Sequence, residues 1–338
     1  MSRPVNDTHA ASYHARQIPA PTEVTDGVWA IPIPLRGSAL RYVTVFLVDI
    51  GDGAVLIDAG YDHPSCWQSF TESVAAIGHR IETISTVLLT HNHPDHIGFA
   101  ARVRALSGAS VVMGQADDFA TMHRGRGGFL TQLRTALTTT GAPPDVVEAM
   151  YADAVAVTAH HEDLRIDLAV ADETEFRFGD VTIRAVPAPG HTYGHTVYFD
   201  TRGSVFTGDT MMPEGPTQLA IVSRADDDPA ADLFRTLQRV RDLGATIACP
   251  AHQFPYRDVA ARADELAAFH RDEVATVSAL AGTDGQTTAW DVARRMRWRK
   301  PWDELGRGTQ RFSLVHAQAL LRHTAASTGS RQSRRGRS

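Results

Sequence analysis

Thr90-His91-Asn92-His93-Pro94-Asp95-His96-Ile97-Gly98 sets three imidazoles and a carboxylate within six consecutive residues, and this pattern, H-x-H-x-D-H, decides how the rest of the chain is read. Neutral imidazole nitrogens and carboxylate oxygens are the usual ligands of zinc and similar cations, and a thiolate-free site belongs to catalysis more often than to structure. Residues 85–90 are β-branched and apolar, the pattern of a buried strand, so His91 and His93 lie just past its end with side chains on one side. Pro94 then turns the chain. Ile97, Ala101 and Leu106 mark a helix over residues 95–106, which directs Asp95 and His96 to a second point nearby. A solvated polar turn leaves this density of ligands unexplained.

Further candidate ligands follow at the ends of strand-like runs. Residues 181–186 alternate and break at Pro187, and the glycines of Pro189-Gly190-His191-Thr192-Tyr193-Gly194-His195 let backbone come close to a site; His191 is expected as third ligand of the first cation. Residues 204–207 deliver Gly208-Asp209, where each carboxylate oxygen can face a different cation, so Asp209 is the expected bridge. Residues 245–250 form another buried strand, and His252 just beyond completes the second set with Asp95 and His96. His195 is expected behind the ligands, because both sets are filled without it. A lone His or Asp in a Gly/Pro loop is usually a turn or capping residue; shared placement at strand ends is what makes these a set.

The order His91, His93, Asp95, His96, His191, Asp209, His252 resembles the metallo-β-lactamase superfamily, particularly its glyoxalase II-like branch of dinuclear hydrolases, over about residues 25–255. Ala54-Val55-Leu56-Ile57-Asp58-Ala59-Gly60 looks like that family's strand and Asp-x-Gly turn, which implies that Asp58 orients a metal-binding imidazole. The resemblance implies an α/β fold, a four-layer αββα sandwich with a small helical C-terminal domain. Ala251 stands where members often have Gly, and residues 41–48 lack an Asn that many relatives carry; neither touches a ligand. β-Lactamases of this fold usually lack the bridging Asp, so Asp209 argues against antibiotic hydrolysis.

Composition limits the partners. A chain of 338 residues with 43% hydrophobic content can bury one large core and has room for a smaller unit. A net charge of −6 gives no overall attraction to nucleic acid or an anionic membrane. Cys66 and Cys249 have no metal-binding spacing and read as reduced thiols. Residues 1–24 contain no apolar block long enough for a secretion signal and read as a flexible leader; no run approaches the ~20 apolar residues of a membrane span. The expectation is a soluble cytoplasmic protein.

Residues 25–257 form the expected catalytic domain. Within them, residues 115–170 read as a helical lid with helices over 117–122, 129–138 and 144–157. Lying between two sets of ligands, the lid offers Arg124, Arg126, Tyr151, His160 or His161 as substrate contacts, together with Tyr193; the glycines beside Arg126 suggest mobility. Residues 258–326 read as a helical domain with helices over 259–280, 289–296 capped by Thr288, and 312–323, and with Trp290, Trp298 and Trp302 for a small core. This unit resembles the winged-helix-like appendage of some superfamily members, including a branch with endoribonucleases. Acidic residues are mixed through it and no basic stripe emerges, which favours packing on the core, closing the pocket or a homodimer contact over nucleic acid. Residues 327–338, with four Arg among Gly and Ser, read as a disordered basic tail.

Two divalent cations sharing a carboxylate, expected to be zinc with manganese or iron as alternatives, lower the pKa of a water between them toward neutrality. The expected reaction is attack of that bridging hydroxide on a small-molecule thioester, ester or lactone, with Asp95 both binding metal and orienting the nucleophile's proton. Two alternatives stand beside it: phosphodiester cleavage, as in the family's nucleases, and a persulfide dioxygenase using a single iron.

Overall fold

The computed structural model describes residues 2–35, 38, 40–157, 164–282 and 285–335, with Val157 and residues 328–335 described by backbone alone. Helix α1 (Asp7–His14) precedes a seven-stranded sheet in chain order: β1 (Thr22–Thr25), β2 (Val28–Pro34), β3 (Tyr42–Asp49), β4 (Ala54–Ile57), β5 (Ile84–Leu88), β6 (Ser110–Gly114) and β7 (Leu168–Val170). The β1–β4 pairings are antiparallel and the β4–β7 pairings parallel. Helices α2 (Pro64–Ala76), α3 (Pro94–Ile97) and α4 (Ala100–Ser107) fall between these strands, and α5 (Phe119–Gly125), α6 (Phe129–Thr138) and α7 (Pro144–Val157) between β6 and β7. The second sheet runs β8 (Thr174–Phe178), β9 (Val181–Pro187), β10 (Thr196–Asp200), β11 (Ser204–Gly208), β12 (Ile247–Pro250) and β13 (Tyr256–Arg257), with α8 (Pro229–Asp242) between β11 and β12. Three helices close the chain: α9 (Val259–Ala281), α10 (Ala289–Arg295) and α11 (Arg307–Arg335).

Strand alternation sorts the side chains into layers. On β3, Val43, Val45 and Leu47 pack outward with Phe70 and Val74 of α2 and Val103 of α4, while Phe46 and Val48 face inward. The inward layer joins the sheets: Phe46 meets Phe206 of β11 with ring centroids 5.3 Å apart, beside Tyr198 and Cys249. On the far side of the second sheet, Val197, Val205 and Ala248 pack against Leu233, Leu237 and Val240 of α8. These are the four layers of an αββα sandwich.

The same outer core continues without a break into the C-terminal helices, taking in Leu266 and Val277 of α9 and Leu314 and Ala317 of α11. Trp290 and Trp302 meet edge to face at 5.4 Å within it. No strand lies beyond β13 among the described residues, so the region is helical and the expected winged-helix likeness is corrected: there is no hairpin to form a wing.

Three other expectations change. Residues 2–24 are not a loose leader: the Val5 N–H donates to Pro255 O (2.9 Å), the Arg257 N–H to Arg3 O (2.7 Å), and Asn6 caps α1. β13 is the edge of its sheet, and this segment covers backbone that would otherwise be open. The helix over 95–106 is two helices, because the Gly98 N–H turns back to Gly60 O (2.8 Å) and a Cβ there would lie 2.2 Å from the Asp62 backbone nitrogen. Residues 327–335, expected to be disordered, continue α11; helix propagates from its buried middle, Ser313–Leu320, through residues that tolerate it. No helix among the described residues is long and apolar enough to cross a membrane.

Candidate metal centre

Each candidate ligand follows the C-terminal end of a strand: His91, His93, Asp95 and His96 follow β5, His191 follows β9, Asp209 follows β11 and His252 follows β12. The two sheets bring them together in two groups, His91, His93, His191 and Asp209 in one and Asp95, His96 and His252 in the other, with ligand atoms in each group within 4.8 Å of one another. Asp209 stands between the groups. Its Oδ2 lies 3.8 Å from His191 Nε2, while Oδ1 lies 3.5 Å from His96 Nε2 and 3.3 Å from His252 Nε2. Asp95 faces the second group, 3.5 Å from His252 Nε2 and 3.8 Å from His96 Nε2.

Proton placement around this cluster tests whether a cation fits. His96 Nδ1 donates to Asp58 Oδ2 (2.8 Å), His252 Nδ1 to Tyr42 O (3.0 Å) and His191 Nδ1 to Gln218 O (2.8 Å). The Thr90 hydroxyl donates to Asp58 Oδ2 (2.9 Å), which leaves its oxygen to accept from His91 Nδ1 (3.0 Å). Four imidazoles thus spend their outward N–H on a protein oxygen and turn a lone pair inward, the arrangement a metal-binding histidine needs. The inward atoms His91 Nε2, His96 Nε2, His252 Nε2 and Asp209 Oδ1 are buried and have no hydrogen-bond partner. Orphaned buried polar atoms are costly, and these four converge on one place. The donor set fits two divalent cations.

Electrostatics point the same way. Burial lowers the imidazoles, and it prevails at His91, at His93, which falls to about 3, and at His191. At His96 and His252 burial is outweighed by carboxylates, Asp209 foremost, and both are raised. Burial alone would raise Asp209, but His252 and His96 hold it well below the usual carboxylate range.

The supports are equally built. Asp58 sits at the end of β4 in a left-handed conformation (φ 59°), 2% exposed, and accepts from the Thr90 N–H (2.7 Å) as well as from Thr90 Oγ1 and His96. His195 joins neither ligand group. It stacks on His91 at 5.0 Å, accepts from the Asp209 N–H (3.3 Å) and pairs with Thr210 Oγ1 (3.1 Å). Gly208 is required beside it, because a Cβ there would lie 2.7 Å from both His195 Nε2 and Thr90 Oγ1.

A cleft opens beside His93 and His191, and α5, α6 and the turn between them contribute Met122, Arg126, Phe129 and Leu133 to its walls. Tyr193 borders it and donates its hydroxyl to Ile221 O (3.0 Å). Arg126 borders it too, with its guanidinium making two bonds to Asp227 (2.6 and 2.9 Å) and lying 3.7 Å over the Tyr193 ring. Its glycine neighbours serve the turn between α5 and α6, where Gly127 has φ 79°. Arg124 is exposed, bonded to Thr121 Oγ1, and does not line the cleft; Tyr151 is engaged by Arg134 and the C-terminal core instead. His160 and His161 lie outside the described residues.

Asp117 was not foreseen, although it follows β6 as the ligands follow theirs. Burial pushes it up to about 6, while it accepts from Thr192 Oγ1 (2.5 Å), the Gly194 N–H (2.8 Å) and the Asn92 N–H (3.3 Å), tying the ligand hexad to the His191 loop. A third cluster, His270, Glu273 and His316, also gathers ligand-type atoms within 4.8 Å. Its proton polarity is the reverse of the metal centre's. His270 Nε2 accepts from the Thr217 N–H and His316 Nδ1 from the Leu219 N–H (both 3.3 Å), so their protons point at Glu273 Oε2, 2.9 and 3.3 Å away. A cation would need lone pairs where these N–H groups lie. The cluster is a clamp on residues 217–219, whose Gln218 carbonyl receives the His191 proton.

The metallo-beta-lactamase superfamily profile matches residues 39–252. A carboxyl acyl-carrier-protein thioesterase for atrochrysone from Aspergillus fumigatus is 26% identical over 71% of this chain and 45% of its own. A hydroxyacylglutathione hydrolase from Methylococcus capsulatus is 28% identical over 50% of this chain and 48% of its own. Each match thus spans about half of the relative's length. Among solved structures, a metallo-beta-lactamase family protein from Thermus thermophilus superposes with a TM-score of 0.73 at 23% identity, over 90% of this chain and 95% of its own. A beta-lactamase domain protein from Burkholderia ambifaria gives 0.72 at 21%, over 93% and 92%; both show likeness of fold.

Proposed function

The chain belongs to the metallo-beta-lactamase superfamily and carries residues suited to divalent metal, and from that premise we propose that it is a dinuclear enzyme that hydrolyses a thioester, ester or lactone of a small molecule. The observation that carries the reading is Asp209, whose two oxygens face opposite ligand sets, Oδ2 toward His191 and Oδ1 toward His96 and His252. Zinc suits these ligands, with manganese and iron sharing the preference. Two such cations supply an activated water and a Lewis acid for the carbonyl.

The chain's own residues do the rest. Asp58, Tyr42 O, Gln218 O and Thr90 Oγ1 fix which nitrogen of each imidazole carries its proton, so the ligand lone pairs point inward without reorganisation. Asp95, 22% exposed at its side chain, is the ligand-set carboxylate with most access to solvent, and it orients the proton of the attacking water. His195 braces Asp209 through its backbone N–H. The apolar cleft beside His93 and His191 takes the organic part of the substrate. The thioesterase and hydroxyacylglutathione hydrolase relatives favour a thioester within this class.

The test is metal analysis of the purified protein followed by a screen of acyl thioesters, lactones, phosphodiesters and RNA. About two divalent ions per chain with thioester turnover is the expected result. One iron per chain with oxygen uptake on a glutathione persulfide, or steeply salt-dependent RNA binding with cleavage, would replace the reading.

A further inference from the structure

The cleft beside the metal centre carries one positive charge that no carboxylate among the described residues neutralises. Arg311, on α11, borders the cleft and is 6% exposed. Its one hydrogen bond among the described residues goes from Nη1 to the Met150 carbonyl at 3.3 Å. The other charged groups around it are spoken for. Arg126, also bordering the cleft, is closed onto Asp227. Asp153, the acidic group whose field reaches Arg311, is held by Arg307 at 3.0 Å. Asp117 spends its oxygens on Thr192, Gly194 and Asn92. Burial accordingly lowers the Arg311 guanidinium from its ordinary value. The N–H groups that Met150 does not use keep some exposure, so a guanidinium with a single carbonyl acceptor holds donors open to an anion in the cleft.

The surroundings say what that is. Leu133, Leu219, Ala220, Phe312 and Val315 line the same cleft, an apolar wall that takes hydrocarbon, and His93 and His191 of the metal centre border it as well. We propose that Arg311 is an anion subsite: the substrate carries a carboxylate or phosphate, separated by an apolar stretch from the bond that is cleaved, and Arg311 pairs with that group. This deepens the thioester-type reading above and rests on it for the reaction. Arg311 is a specificity-determining residue and takes no part in bond cleavage. Because it sits on α11, the C-terminal helices complete the substrate cleft as well as packing on the core.

Two measurements test this on the metal-loaded protein. First, kcat/KM is compared for matched thioesters whose acyl or thiol chain ends in methyl, carboxylate or phosphate, in wild type, R311K and R311M. The expected outcome is at least a tenfold preference for one anionic terminus, reduced in R311K and abolished in R311M, with the two anions ranking which source fits. Second, thermal shift is recorded with adipate against hexanoate. Wild type is expected to be stabilised more by adipate, and R311M equally by both. Methionine replaces a buried charge by an apolar chain of similar length, so the variant is expected to fold, and its own melting midpoint checks that. Turnover of thioesters with no anionic preference, or a preference that survives R311M, overturns the subsite. If no thioester is turned over but the adipate difference is present and lost in R311M, the subsite stands and the thioester reading falls.

Discussion

Asp209 shows at the scale of one residue why position outweighs residue type. An aspartate after a short strand is ordinarily a turn residue; here Gly208 lets the chain bend at φ 49° so that the carboxylate enters between two sets of imidazoles. Replacing Asp209 by Ala removes an acceptor from both sets, so turnover is expected to vanish and metal content at both positions to fall. Unchanged activity, read together with metal analysis of the same preparation, would count decisively against the bridge. Asp58 acts at one remove. It accepts from the Thr90 N–H, the Thr90 hydroxyl and His96 Nδ1, and Asn has one oxygen for three donors, so its amide must oppose at least one of them. Asp58→Asn should weaken metal binding about 10- to 100-fold while leaving every proposed ligand in place. Chelator competition measures it.

Among the elements, the segments between strands decide how rigid the centre is. The hexad is legible because all its residues are contiguous, and α6 and α7 because their apolar spacing and flanking Gly and Pro leave little choice. The clamp on residues 217–219 was not legible: His270 and Glu273 share one face of α9, but His316 comes from α11, and a sequence shows no reason to join them. Burial alone would raise Glu273, yet the two imidazole N–H donors hold it at about 2. A carboxyl depressed in the folded state contributes stability above its unfolded value near 4.5 and loses it as pH falls toward 2. Glu273→Gln should therefore cost about 3 kcal/mol at pH 7, less at pH 4 and little by pH 2.5 relative to wild type. Denaturant titrations at those pH values give the difference, and a cost independent of pH would refute the clamp's ionic character.

On the scale of the whole molecule, the C-terminal helices are part of the sandwich. Leu266 and Val277 of α9 and Leu314 of α11 belong to the same core as Leu233 of α8 and Val205 of β11, and Arg311 reaches the cleft from α11. An independent appendage would unfold by itself; a shared core predicts one cooperative transition. Calorimetry of the metal-loaded protein should show a single peak, and two resolved peaks would mean that the helices melt separately. The N-terminal segment belongs to this unit as well, through its backbone bonds to Pro255 and Arg257.

The sequence alone determined the chemistry of the candidate centre and most of its scaffold, because ligand type, strand patterning and Gly/Pro punctuation are local properties written in consecutive residues. Tertiary structure decided what depends on residues far apart in the chain: which oxygen of Asp209 faces which imidazole, where Arg126 and Asp117 are spent, how the N-terminal segment covers a sheet edge, and that Arg311 lines the cleft beside the candidate centre without a carboxylate partner among the described residues. Those outcomes follow from desolvation and hydrogen-bond pairing in a packed interior, and neither is set until distant segments exclude water from one another.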